Sequence, residues 1–154
     1  MTVTASELKD GKIVAIAGPV VDVEFPPDSI PEINTALEFN INVDGVDIRV
    51  TAEVAQQIGG NRVRAIAMKP TDGLVRGTVV RNTGSGISVP VGDAVLGHVF
   101  NVIGEPLDVA SVDVEERWAI HRTAPAFDTL EPKAQMFPTG IKVIDLLTPY
   151  LQGG

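Results

Sequence analysis

Between residues 37 and 53 apolar and polar side chains alternate one for one. Leu37, Phe39, Ile41 and Val43 are separated by Glu38, Asn40 and Asn42. After Asp44-Gly45 the alternation resumes in Val46, Ile48, Val50 and Ala52 against Asp47, Arg49, Thr51 and Glu53. A period of two places one set on a buried face and the other in water, and Asp-Gly tolerates the positive φ of a tight turn, so the pattern predicts a β-hairpin. Further strands are predicted over 12–17 and 20–25, joined through Gly18-Pro19, which is expected to bend or bulge the pair. A strand over 62–68 follows the turn Gly59-Gly60-Asn61, and one over 75–81 follows Pro70-Thr71-Asp72-Gly73. Short strands at this spacing, punctuated by Gly, Pro, Asn and Asp, point to a small antiparallel barrel or sandwich.

After Thr83 the texture changes. Gly84-Ser85-Gly86 reads as a flexible turn opening a stretch that continues through Pro90, Gly92, Gly97, Gly104 and Pro106. Residues 108–137 have little periodicity, contain Pro125 and Pro132, and read as an extended connection. Ile141, Ile144 and Leu147 then fall at helical spacing, with Thr139 placed to cap the start and Pro149 to limit the end. A helix with a broad apolar stripe needs a covering layer, and none is evident in the preceding segment.

Composition narrows the function. Twelve Lys+Arg against 20 Asp+Glu give a net charge of −8. Cut at Thr83, the chain has eight basic and eleven acidic residues before it and four and nine after it. Neither half has the clustered positive charge that neutralising nucleic-acid phosphates requires. Arg62, Arg64 and Lys69 form the best basic cluster, and Arg62/Arg64 reads as the solvated face of one strand. The absence of cysteine excludes disulfides, thiolate nucleophiles and cysteine-ligated metals. No apolar run is long enough to cross a bilayer. The run over 13–21 is interrupted by Gly18-Pro19 and is a poor signal peptide. The chain is expected to be soluble, intracellular and untargeted.

No residue presents itself as catalytic, cofactor-binding or metal-ligating. There is no G-x-x-x-x-G-K-[ST], hence no backbone cradle or lysine for phosphates. Gly84-Ser85-Gly86 begins like a dinucleotide fingerprint, but Val89 stands where the third glycine belongs. Gly59-Gly60 is accounted for by a hairpin turn. His98 and His121 are far apart without ligand-like companions. Glu115-Glu116 beside Arg117 reads as a solvated charge run, and no Ser or Thr sits in a nucleophile elbow.

Four longer segments carry a resemblance. They are GKIVAIAGPVVDVEF at 11–25, GHVFNVIGEPLD at 97–108, IHRTAPAF at 120–127 and TGIKVIDLLTPY at 139–150, the last followed after Leu151-Gln152 by Gly153-Gly154. In this order and over nearly the whole chain they resemble the opening stretch of the catalytic β subunits of F-type ATP synthases, of bacterial type. Two departures are His98, where arginine is common, and Pro138 before Thr139. The resemblance implies a mainly β chain. Residues 1–83 would form the small closed antiparallel barrel that packs side by side with its neighbours in the crown of an alternating ring. Residues 84–154 would be the incomplete start of a RecA-like nucleotide-binding domain, ending just before the P-loop.

It further implies a parent that makes ATP from ADP and phosphate, coupled to transmembrane proton flow by rotary catalysis. ATP or ADP and Mg would be bound in that parent, but by none of these residues. The partners would be α subunits and the central stalk, at the cytoplasmic face of the cell membrane within the F1 sector, with no nucleic acid and no direct membrane insertion. The 154-residue chain alone is expected to be inactive. Two alternatives are a stand-alone barrel-type binding module and a fragment of a related hexameric export ATPase. Acidity and few Trp and Tyr weigh against the first, and the segments over 101–106 and 141–150 against the second.

Overall fold

The computed structural model describes residues 8–43, 45–129 and 135–153. They fall into two compact units, one running through Arg122 and one beginning at Thr123. In the first, six strands close an antiparallel barrel: β1 (Gly11–Ala17), β2 (Val20–Glu24), β3 (Thr35–Val43), β4 (Val46–Gly59), β5 (Arg62–Ala67) and β6 (Val79–Gly86). Around the wall the order is β1-β2-β5-β4-β3-β6, with β6 returning to β1. The two expected barrel or sandwich outcomes thus resolve to a closed barrel.

Turn chemistry sets the registers. Gly60 and Asn61 both sit at positive φ (60° and 59°), as a two-residue mirror-image turn requires, and bring Gly59 opposite Arg62. Gly18 at φ 59° starts the turn that pairs Ala17 with Val20. The expected irregularity of this pair lies elsewhere: the register slips between Ile13 and Ala15, so the bulge is at Val14. In the β3–β4 hairpin Val43 opposes Val46, Phe39 opposes Val50 and Leu37 opposes Ala52. Asp44 lies outside the described residues, while Gly45 has φ 84°.

The alternation puts Leu37, Phe39, Ile41, Val50, Ala52, Val54, Val63 and Ala65 inside, with Ile13, Val21, Val23 and Val80 completing a core of small and β-branched side chains. The first two apolar residues of β4 depart from the pattern. Val46 and Ile48 are 62% and 39% exposed, because β5 joins β4 only from Ala52 onward and no opposing wall covers the hairpin's tip. Gly11 is the tightest point of the interior. A Cβ there would lie 2.8 Å from Val23 Cγ1 and 2.9 Å from both the Glu24 carbonyl oxygen and Phe25 Cε1.

Three sequence expectations are corrected around and beyond the last barrel strand. The strand expected from residue 75 begins at Val79, because Val75–Thr78 is a turn with Gly77 at φ 87° and the Thr78 amide donating to the Val75 carbonyl at 3.4 Å. Gly84-Ser85-Gly86 is not a loose turn but the end of β6, with Gly86 opposite Thr35 and the Thr83 hydroxyl donating to the Ala36 carbonyl at 2.7 Å. The stretch expected to be irregular contains β8 (Glu116–Ala119), which pairs with β7 (Ser88–Val91) in a two-stranded sheet.

The second unit holds β9 (Met136–Phe137), helix α1 (Lys142–Leu147) and β10 (Tyr150–Leu151), with β9 and β10 antiparallel. Pro132 and Gly154 lie outside the described residues. The helix forms where the periodicity places it and stops short of Pro149, but its cap works in reverse. Ile141 is the N-cap residue and carries no side-chain bond. The Asp145 carboxylate instead accepts the amides of Thr139 and Gly140, each at 3.0 Å, and the Thr139 hydroxyl at 2.6 Å.

Replacing Gly11 by Ala is expected to destabilise the barrel by about 1–3 kcal/mol, the cost of overpacking an interior against backbone. A urea midpoint unchanged from the parent chain would contradict this packing.

Candidate functional site

The outer wall of the barrel and the segment over 87–122 carry the polar groups with defined partners. On one side of the wall, cross-strand neighbours make an ion-pair ladder. Asp22 opposes Arg64 and Glu24 opposes Arg62, with bonds of 2.8 and 2.9 Å. This is the solvated strand face expected for the two arginines, each matched by a carboxylate on the adjacent strand. The Asp22 carboxyl is held below its ordinary value of 3.8, chiefly by the hydrogen bond from Arg64.

On the other side Glu38 of β3 lies between two cations. It pairs with Arg49 of β4, and Arg81 of β6 stands 4.0 Å away. The hydrogen bond that Arg49 donates to Glu38 raises its guanidinium above its ordinary value. A cleft of about 280 Å³ opens beside this pair, lined by Glu38, Arg49, Thr51, Ser85, Ile103 and Arg117.

Residues 98–108 form a self-stapled loop. The Asn101 side chain does most of the stapling: its Oδ1 accepts the amides of Ile103 (3.1 Å) and Glu105 (2.9 Å), and its Nδ2 donates to Glu105 Oε2 at 2.7 Å. The Asn101 amide donates to the Glu105 carbonyl, and the Leu107 amide to the Val99 carbonyl. At the base of the loop His98 Nδ1 lies 2.8 Å from Asp108 Oδ2. That contact is the main reason the Asp108 carboxyl sits below its ordinary value. Gly104, at φ 73°, turns against β7, where a Cβ would stand 2.5 Å from Pro90 Cδ and 3.1 Å from Val89 Cα. The motif Asn-Val-Ile-Gly-Glu-Pro therefore has a structural reason at Asn101, Gly104 and Glu105.

Two contacts, an ion pair and a histidine–carboxylate hydrogen bond, join this segment to the barrel. Lys69, just past β5, lies 3.2 Å from Glu105 Oε2. His121 Nε2, two residues past β8, lies 2.9 Å from Glu53 Oε2 on β4. Both histidines thus have surface roles, each beside a single carboxylate. Among the described residues no group of three or more His, Cys, Asp or Glu is placed to hold a metal. Glu116 accepts a bond from Trp118 Nε1 at 2.6 Å, Arg117 bonds Ser88, and Arg122 stacks over the Trp118 ring at 3.9 Å. No catalytic constellation of nucleophile, base and orienting group is assembled among the described residues. The turn before α1 offers no anion cradle either, because the Asp145 carboxylate occupies the amides of Thr139 and Gly140.

Residues 13–84 match the model described as "ATP synthase alpha/beta family, beta-barrel domain". Over these residues the barrel is similar to that domain. The matched span begins within β1 and ends within β6, so the alpha/beta barrel domain and the closed six-strand ring coincide. Among the described residues no helix is long and apolar enough to cross a membrane.

The pairings of Glu53 with His121 and of Lys69 with Glu105 escaped the sequence reading. They join residues 68 and 36 positions apart, and no local pattern marks them. The Asn101/Glu105 staple, by contrast, is local and has a readable spacing.

Two predictions follow from the ladder and the loop. Asp22 has a lowered carboxyl value, so its contribution to stability is complete above pH 3.8 and is lost as pH falls through its folded-state value. Asp22→Asn should therefore be less stable than the parent chain at neutral pH, the gap closing in acid; a gap constant with pH would rule the assignment out. Gly104→Ala should speed amide exchange at Asn101 and Leu107 while leaving the urea midpoint of the barrel nearly unchanged. Unaltered exchange would show that the contact with Pro90 is not close.

Proposed function

We propose that this chain is part of the catalytic β subunit of a bacterial-type F-type ATP synthase and supplies ring assembly. The observation that carries the reading is the closed six-strand barrel whose span matches the alpha/beta barrel domain. The β-like wording of residues 101–106 and 141–150 favours β over α. In this reading the barrel over 1–83 packs beside α-subunit barrels in an alternating ring around the central stalk. Residues 84–154 open the RecA-like nucleotide-binding domain. The assembly sits at the cytoplasmic face of the membrane as the F1 sector, driven by proton flow.

A ring contact needs a wall whose side chains are held in fixed positions without a neighbour. The Asp22–Arg64 and Glu24–Arg62 ladder provides this through directly opposed cross-strand pairs. Exposed Val46 and Ile48 on β4, Ile66 on β5 and Val79 on β6 supply apolar area around the barrel's outside. Such surface is stabilised when covered, by about 25 cal/mol for each Å² of apolar area removed from water.

Nucleotide chemistry belongs to the parent. Clamping the β- and γ-phosphates with Mg requires a phosphate loop, and these 154 residues contain none. No catalytic step is assigned to them.

Mixing the chain with purified F-type α subunits should give a stoichiometric complex by native mass spectrometry, and Ile48→Asp with Ile66→Asp should weaken it. Failure to associate with α, combined with association with export-ATPase subunits, would replace the reading. The isolated chain should show no Mg-dependent ATP hydrolysis above background, and measurable turnover would refute the assignment of chemistry to the parent alone.

A further inference from the structure

Residues 87–122 lie against the barrel wall with almost no apolar burial of their own. Ile87, at the root of the segment and continuous with β6, is buried. From residue 88 to residue 122 the only other buried position is Gly104, which packs on Val89 and Pro90 of the same segment. The cleft between the loop and the wall is lined largely by polar and charged side chains and is large enough for several waters.

What joins the segment to the wall is polar: an ion pair and a hydrogen bond to a carboxylate. Midway along the segment Glu105 meets Lys69, and Arg49 adds favourable charge from β4. The chain of alternating signs continues through Arg49–Glu38 to Arg81. At its far end His121 meets Glu53. Both anchors reach the outward face of β4, through residues 49 and 53. Internally the segment is well tied by the Asn101 staple, the His98–Asp108 contact and the β7–β8 ladder. A body that is tied internally but attached by one ion pair and one hydrogen bond at partly exposed side chains detaches as a unit, since each contact is individually weak and the ion pair is screened by salt.

We infer that residues 87–122 form a strap latched to the barrel at Lys69–Glu105 and Glu53–His121, releasable by ionic strength or by loss of the latch charges while the barrel stays closed. Release opens the cleft beside Glu38, whose side chain is only 20% exposed when the segment is docked, and changes the direction in which the chain leaves the barrel. Docking of the strap is thereby a conformational device, separate from the interior that stabilises the fold.

The chain has no cysteine, so paired spin labels at Val102→Cys on the strap and Ile66→Cys on β5 report the distance between strap and wall. Val46→Cys with Ile66→Cys reports the barrel alone. All three positions are exposed. At low salt the strap pair should give one narrow distance. In about 1 M salt, where the screening length falls to about 3 Å, or in Lys69→Met with Glu53→Gln, the population outside that peak should rise roughly fivefold, the shift expected when the two latch contacts are weakened. The barrel pair should not change. A strap distance unaffected by both treatments would overturn the inference. Should the double substitution also disturb the barrel pair, the unsubstituted latch in high salt decides the question alone.

Discussion

Closure of the ring is the constraint on which the rest of this structure depends. β6 has two neighbours in turn: its first residues, Val79 and Val80, pair with β1, while Arg81, Asn82 and Gly86 pair with β3. The change of partner is made possible by the turn before it, where the Gly77 amide donates to the Ile13 carbonyl and the Ile13 amide to the Thr78 carbonyl. With that seam shut every strand of the ring has a neighbour on each side over part of its length, and the core side chains are buried. The interior is filled by Val, Ala, Ile and Leu with two phenylalanines, which leaves little free volume and makes Gly11 indispensable.

The outer surface is organised differently. Asp22 and Glu24 are answered by Arg64 and Arg62 across the ladder, and the 87–122 segment is fastened by polar contacts at its middle and its far end. Interior and exterior therefore rely on separate physics. Burial of β-branched side chains stabilises the barrel at any ionic strength, whereas exposed polar contacts govern what rests on it.

Much of the barrel was legible in the sequence because period-two alternation and two-residue turns are local signals. The 37–53 hairpin is the plainest case, and its register agrees residue by residue from Leu37–Ala52 to Val43–Val46. The start of β6 was misplaced because Val75 reads as a strand former, while Gly77 imposes a turn that propensity alone does not reveal. β8 was missed because its residues, Glu116 to Ala119, are exposed on both faces and show no alternation. The helix was found from its spacing, but the reach of Asp145 back to Thr139 depends on geometry at the end of the first turn. The latch residues were invisible for a simpler reason: Glu53 and Lys69 look like ordinary strand-surface charges until distant residues are brought beside them.

The seam between the first and last strands also bears on how the chain acquires its shape. Gly11 and Val80 are 69 positions apart, so the opening strand has no partner on that side until nearly the whole barrel has been synthesised. Hairpins such as β3–β4 and β4–β5 form from neighbours along the chain, but closing so long a loop costs entropy before any contact repays it. The barrel thus acquires most of its wall early and its seal last. During that interval the unpaired side of β1 is the place where a nascent chain is most open to pairing with the wrong strand.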